Sequence, residues 1–381
     1  MPIPHVRPFG GALPRRAFDE RDPRALDLLK THEGETLPTY GLVGVPFDGA
    51  VIGRKGTSQG PAAVREALRY SSSYNLEDDV ELHGMSIADL GDVDVAATDV
   101  ATTHARVTET LKHLFTNNCH PLMVGGDNSL TYASVRALAD SGAKKIGVLS
   151  LDAHLDVRVP NPDITSGTPN YLILEKIPEV KPNNLVIVGL RRFANSKTYR
   201  DWAIKKGARL FPMKEIRRRG FQGLFELAVQ AAIDGVDALY VSLDMDVVDQ
   251  AWAPGVSSPS PDGLTPREVF DAVQLCASQK VARGFEVVET APNLDPTGNT
   301  ARVAALSVLQ YLVGRVKPPT LSRPASQAPK ERTAPPPRAD RPRSGGYGGG
   351  YGRGGGYGGG GGYGGGRGGG FGRGPPPRPR Y

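Results

Sequence analysis

The stretch Ile146-Gly147-Val148-Leu149-Ser150-Leu151-Asp152-Ala153-His154-Leu155-Asp156 is an apolar run that ends in three ionisable residues spaced two apart. Six residues of nearly continuous apolar character suit a β-strand covered on both faces. A second segment, Ala238-Leu239-Tyr240-Val241-Ser242-Leu243-Asp244-Met245-Asp246, repeats the arrangement. Further short apolar runs at 40–45, 121–125, 184–189 and 281–287 read as strands. Between them lie runs of helical period at 61–70, 101–115, 130–140, 197–206, 221–234, 266–277 and 299–312. Pro61 and Pro266 stand where a first helical turn favours proline. Strands alternating with helices predict an α/β three-layer sandwich, with a central, mostly parallel sheet of about eight strands. In such sheets ligands bind beyond the carboxyl ends of the strands, so the residues just after each strand carry the functional reading.

In extended chain, residues two apart share a face. Asp152, His154 and Asp156 are therefore expected to point one way, and so are Asp244 and Asp246. Carboxylates gathered in a low-dielectric cleft repel each other and cost several kcal/mol each unless they are compensated. Two divalent cations balance four aspartates. Oxygen donors with an imidazole suit Mn²⁺, with Zn²⁺, Fe²⁺ or Ni²⁺ as alternatives. The competing reading makes them separate loop carboxylates that cap helices. The second Asp-x-Asp after a second buried strand argues against it.

Composition bounds the rest. The chain has 381 residues, 39% of them hydrophobic, enough for a large core over most of its length. Its 48 Gly and 33 Pro exceed what one globular domain needs, and they concentrate after residue 316. Residues 317–344 are rich in Pro and Arg. Residues 345–374 are almost all Gly, with Tyr347, Tyr351, Tyr357, Tyr363 and Phe371 among Arg353, Arg367 and Arg373. Such a segment buries too little apolar surface to order itself. The expected organisation is a catalytic domain over 1–316 and a disordered tail over 317–381. The tail holds 12 basic and 2 acidic residues, which leaves the remainder at a net −4. The overall charge of +6 therefore says nothing about the domain's substrate. Cys119 and Cys276 form no disulfide framework and read as buried apolar thiols. No apolar run reaches the ~20 residues of a membrane span. The proline-rich start has no signal-like stretch, so a cytoplasmic protein is expected.

Three motifs, Gly125-Gly126-Asp127-Asn128-Ser129, Ser150-Leu151-Asp152-Ala153-His154-Leu155-Asp156 and Ser242-Leu243-Asp244-Met245-Asp246-Val247-Val248-Asp249, resemble in order and spacing the three signatures of the ureohydrolase family, which includes arginase, agmatinase and formimidoylglutamase. The resemblance spans roughly residues 35–315. It implies two Mn²⁺ ions per subunit, with Asp152 and Asp244 bridging them, Asp156 completing one site, and His154 and Asp246 the other. It implies that Asp156 hydrogen-bonds the nucleophilic water and passes its proton to the leaving nitrogen. Glu289 would pair with the cationic amidine or guanidinium, and Asp249 would support the site or stabilise a turn. One position departs from the pattern. The first signature usually reads Gly-Gly-Asp-His-Ser, its His being a ligand, and here that position is Asn128. A carboxamide oxygen is a poorer donor for Mn²⁺ than imidazole. One site is thus expected to bind more weakly, through Asn128 or a water. A plain helix N-cap is the alternative for Asn128.

Within the family, 253–259 (Ala-Pro-Gly-Val-Ser-Ser-Pro), Val157-Arg158, Ser166-Gly167-Thr168-Pro169, 189–196, 290–296 and 300–302 are similar to the formimidoylglutamase branch. The implied reaction is N-formimidoyl-L-glutamate to L-glutamate and formamide, with agmatine or another guanidino compound as the alternative substrate. Two substrate carboxylates call for cations or backbone donors. Arg158, Thr168, Arg191 and Arg192 are the candidates. The family implies a homo-oligomer. The tail resembles the RGG segments of RNA-binding proteins, which leaves weak RNA binding through it as a reading from another class, on a scaffold that has lost catalysis.

Overall fold

The computed structural model describes residues 2–10, 19, 21–32, 34 and 36–319. The expectations for the Gly-rich segment, and for the Pro/Arg-rich segment from 320 on, lie outside the described residues.

Eight strands build the main sheet: β1 (Tyr40–Gly44), β2 (Ile87–Val93), β3 (His120–Val124), β4 (Ile146–Leu151), β5 (Leu185–Leu190), β6 (Arg209–Pro212), β7 (Ala238–Asp244) and β8 (Ala282–Val288). Their order is β2-β1-β3-β8-β7-β4-β5-β6, and every pairing is parallel. Two further two-residue pieces, Val6–Arg7 and Lys30–Thr31, pair with β2 and bring the sheet to ten strands.

Beside the one-turn helix Ala25–Leu28, the helices among the described residues are α1 (Gly60–Leu68), α2 (Val100–Thr116), α3 (Leu130–Asp140), α4 (Pro169–Lys176), α5 (Lys197–Lys206), α6 (Met213–Arg219), α7 (Phe221–Ile233), α8 (Pro266–Ala277) and α9 (Asn299–Val316). Alternate strand residues separate into two cores. Leu149, Leu151, Val241, Leu243, Phe285 and Val287 pack with α1, α6, α7, α8 and α9. Ile146, Val148, Ile187, Tyr240 and Val288 pack with α2, α3, α4 and α5. That makes the three layers. Each large apolar side chain fully buried this way contributes about 1.5–3 kcal/mol, so the interior strands β4 and β7 bind both layers together.

Local signals place several helix starts. Asp99 accepts from Thr102 N at the head of α2, and Ser196 from Tyr199 N at the head of α5. Thr265 and Glu268 form a capping box before α8, with Pro266 in its first turn. Of the eight main strands and the helices α1 to α9, two strands and two helices escape the sequence pattern. β2 is interrupted by Asp89, Gly91 and Asp92. The two aspartates hold the fully buried Arg65 of α1: Nε and Nη2 donate to Asp89 at 2.7 and 2.8 Å, and Nη1 to Asp92 at 2.7 Å. β6 is a half-buried edge strand. α4 and α6 are short. No helix among the described residues is long and apolar enough to cross a membrane.

Candidate metal centre

The four central neighbours β3, β8, β7 and β4 each end in a polar turn, and the four turns meet. β4 stops at Leu151, so Asp152, His154 and Asp156 converge through a turn and not through continued extended chain. His154 N donates to Asp152 Oδ1 at 2.6 Å, and Ala153 N to Asp246 Oδ1 at 3.2 Å. Asp156 adopts a left-handed φ of 50°, a conformation that L residues with side chains rarely take. Asn195 braces the turn: its Oδ1 accepts from Leu155 N at 2.8 Å, and its Nδ2 donates to Ala153 O at 3.0 Å. On β7, Asp244 is the last strand residue. Its Oδ1 accepts from Asp246 N at 2.8 Å inside a 3-10 turn.

Ligand-capable atoms of Asp152, His154 and Asp246 lie within 4.8 Å of one another, and so do those of Asp152, Asp156 and Asp244. The two groups share Asp152, while Asp244 falls in the second group only. Asn128 reaches the second group from β3. Its Nδ2 donates to Asp152 Oδ2 at 3.3 Å and to Asp156 Oδ2. Its Oδ1 accepts from the Thr131 hydroxyl at 2.7 Å and not from a backbone amide, so the side chain is no conventional N-cap for α3. Glu289, at the end of β8, is buried with a φ of 66°. It accepts from Asn128 N at 2.8 Å and from the Ser257 hydroxyl, and its own N–H donates to Gly126 O at 2.8 Å. Gly126 has no room for a side chain, since a Cβ there would lie 1.6 Å from Phe47 O.

The electrostatics show what the donor set requires. Burial and then mutual repulsion push Asp156 and Asp244 well above the usual carboxylate range, and raise Asp152 as well. Glu289 is raised to about 8, by burial first and then by Asp127. His154 is raised to about 12, chiefly by Asp246, whose Oδ2 lies 2.8 Å from Nδ1. One imidazolium cannot offset five carboxyl groups, four of them buried and Asp156 half-buried. Oxygen donors in this number with one imidazole fit the binding of hard divalent cations.

A cleft of about 120 Å³ opens onto the group, lined among others by Ile52, Arg158, Ser166, Ser257 and Ser258. Of the four substrate candidates, Arg158 lies in its wall, its guanidinium 5.6 Å from the Tyr199 ring. The other three are placed differently. Arg191 is buried and its guanidinium is spent on carbonyls of Gly189, Asp246, Val247 and Val248, at 3.1, 2.9, 2.7 and 3.1 Å. The Thr168 hydroxyl donates to Thr165 O at 2.7 Å within its own loop. Arg192 is exposed and lies 3.6 Å from Asp262. Asp249 stabilises a turn, accepting from Ala251 N and Gly263 N at 2.9 and 3.0 Å. Sequence reasoning missed three residues here. Ser257 and Ser166 sat in noted segments without a role. Asp127 holds the loop after β1 by accepting from Ala50 N at 2.9 Å.

The model of the arginase family matches residues 38–314, and the chain belongs to that family. A formimidoylglutamase of Halobacterium salinarum is 42% identical over 277 residues, covering 72% of this chain and 87% of the relative. The crystal structure of the Bacillus subtilis formimidoylglutamase superposes with a TM-score of 0.76 at 32% identity, covering 80% and 96% of the two chains. A Trypanosoma cruzi formiminoglutamase solved with Mn²⁺ has a TM-score of 0.72 at 25% identity, covering 78% and 100%. The fold is thus arginase-like, and the chain is a metal-dependent hydrolase of carbon–nitrogen bonds in amidine or guanidine groups. A scaffold without catalysis that works through its tail finds no support in these relatives.

Proposed function

We propose that this chain hydrolyses N-formimidoyl-L-glutamate to L-glutamate and formamide. The observation that carries the reading is the convergence of half-buried His154 and Asp156 with buried Asp244, Asp246 and Glu289 on one cleft, with buried Asp152 beneath them and Arg158 in the wall. The similarity to formimidoylglutamases supports it. In this reading Asn128, Asp152, His154, Asp156, Asp244 and Asp246 hold two Mn²⁺ ions. Such ions would lower the pKa of a water and so supply a nucleophile near neutral pH.

The protein's own groups do the rest. Asp156 lies in the cleft wall and shuttles the proton of the attacking water to the leaving amine. Glu289 pairs with the amidinium, held ready by Ser257 and by the Asn128 N–H. Arg158 takes a substrate carboxylate, and the exposed Ser258 lines the same cleft. With Arg191 and Thr168 engaged elsewhere, carboxylate recognition falls mainly on Arg158. The left-handed backbone at Asp156 and Glu289, a strain of about 1–3 kcal/mol each, is consistent with carboxylates fixed for function. The family resemblance extends the reading to a cytoplasmic homo-oligomer, with the catalytic domain ending near residue 316.

The decisive experiment incubates the Mn²⁺-loaded protein with formimidoylglutamate, agmatine and arginine and scores formamide, urea and ammonia. Formamide from the first substrate is the expected result. Inactivity there with urea released from agmatine would reverse the assignment. Titrating Mn²⁺ into metal-free protein tests the Asn128 site, and two equally tight sites would contradict its weakening.

A further inference from the structure

Beneath Asn128 lies a set of polar groups that the chemistry above does not use. Thr131, in the first turn of α3, sets its Oγ1 2.7 Å from Asn128 Oδ1 and 2.5 Å from Glu286 Oε1. The same oxygen is 3.3 Å from Ser242 Oγ. Glu286 sits within β8 with no exposed surface, and its Oε2 accepts from the Tyr240 hydroxyl at 2.7 Å. A buried carboxyl group here is costly, and an apolar side chain of similar volume would pack at least as stably. Core packing therefore does not account for it.

A hydroxyl carries one proton. Thr131 can donate to Asn128 or to Glu286, but not to both. If it donates to Asn128 Oδ1, the Glu286 carboxyl must carry the proton of its own bond to Thr131. The amide then turns Nδ2 toward Asp152 and Asp156, as it does in this structure. If Thr131 instead donates to a Glu286 carboxylate, Asn128 must donate Nδ2 to Thr131. Its Oδ1 then faces the aspartates, and only that end can ligate a cation.

We infer that Glu286 and Thr131 are positioning residues that decide which end of the Asn128 carboxamide is presented to the metal centre. The inference rests on the reading of Asn128 as a ligand. As a carboxylate accepting from Tyr240 on one oxygen and from Thr131 on the other, Glu286 selects the oxygen-out orientation; the nitrogen-out orientation of this structure is the one in which the Thr131 proton lies toward Asn128. Without that acceptor, the Thr131 proton goes to Asn128 and the nitrogen-out orientation prevails.

The test titrates Mn²⁺ into the metal-free full chain and follows free Mn²⁺ by electron paramagnetic resonance, with thermal melts alongside. Asn128→Ala should weaken one of two sites. Glu286→Met should weaken the same site roughly 10- to 100-fold and leave the other within about twofold. Thr131→Val should act in the same direction, and Thr131→Ser should restore wild-type affinity, a rescue that a purely structural role would not predict. Should Glu286→Met fail to fold, the Thr131 pair decides alone. Unchanged affinity in Asn128→Ala would overturn the ligand role and the relay with it. Weakening there, with wild-type affinity in both Glu286→Met and Thr131→Val, would overturn the relay only.

Discussion

Removing the Ser257 hydroxyl probes how Glu289 is held. Glu289 is buried and has two donors, the Asn128 N–H at 2.8 Å and Ser257 Oγ. Ser257→Ala deletes the second and leaves one carboxylate oxygen without its protein donor in the cleft wall. A hydrogen bond to a charged group is worth about 1.5–3 kcal/mol. If that energy fixes the carboxylate against the substrate cation, kcat/KM should fall roughly 10- to 150-fold. The loss should be larger in KM than in kcat, because the ion pair forms on binding. Steady-state formamide release, with Mn²⁺ content and melting temperature measured on the same preparation, gives the answer. Ser257→Thr keeps a hydroxyl and should retain most of the activity. A fully metallated Ser257→Ala enzyme within twofold of wild type would refute the reasoning.

Three further outcomes follow from other parts of the molecule. Arg65→Met strips the guanidinium from Asp89 and Asp92, each mostly buried; it should cost about 3–5 kcal/mol in urea unfolding, and a loss below 1 kcal/mol would show that the triad carries little. Burial lowers the His104 imidazole to about 4, below its unfolded value near 6.5. The folded pKa is depressed, so its contribution is complete above about pH 6.5 and is lost, to the extent of about 3 kcal/mol, as pH falls toward 4. His104→Gln should flatten the pH dependence of the urea midpoint across that window, and an unchanged slope would count against the burial argument. Deleting residues 320–381 should leave kcat/KM within twofold, whereas a tenfold loss would tie the tail to catalysis.

Much of the fold was legible because its signals are local. β4, β7, α3, α5 and α8 appear where the periodicity puts them, and β4 and α3 match to the residue. β2 was not legible, because Asp89 and Asp92 break its apolar run. Their partner, Arg65, lies more than twenty residues away on α1, and only that pairing makes the aspartates compatible with a strand. That Asp152, His154, Asp156, Asp244 and Asp246 gather in one place was legible from residue type and spacing after apolar runs. The substrate side was less so: Arg191, Arg192 and Thr168 stand after strands as a binding residue would, yet Arg191 turns inward to clamp carbonyls and Thr168 closes its own loop.

The sequence by itself determined which donors exist and which strand ends carry them, since ligand chemistry and side-chain alternation are properties of a few neighbouring residues. Tertiary structure alone decided which of those ends meet. Strand order places β3 and β8 beside β7 and β4, and so brings Glu289 to the Asn128 amide across 161 residues and Ser257 to Glu289 across 32. That order comes from packing two helical layers onto a twisted sheet, a sum of many distant apolar contacts that no local spacing encodes.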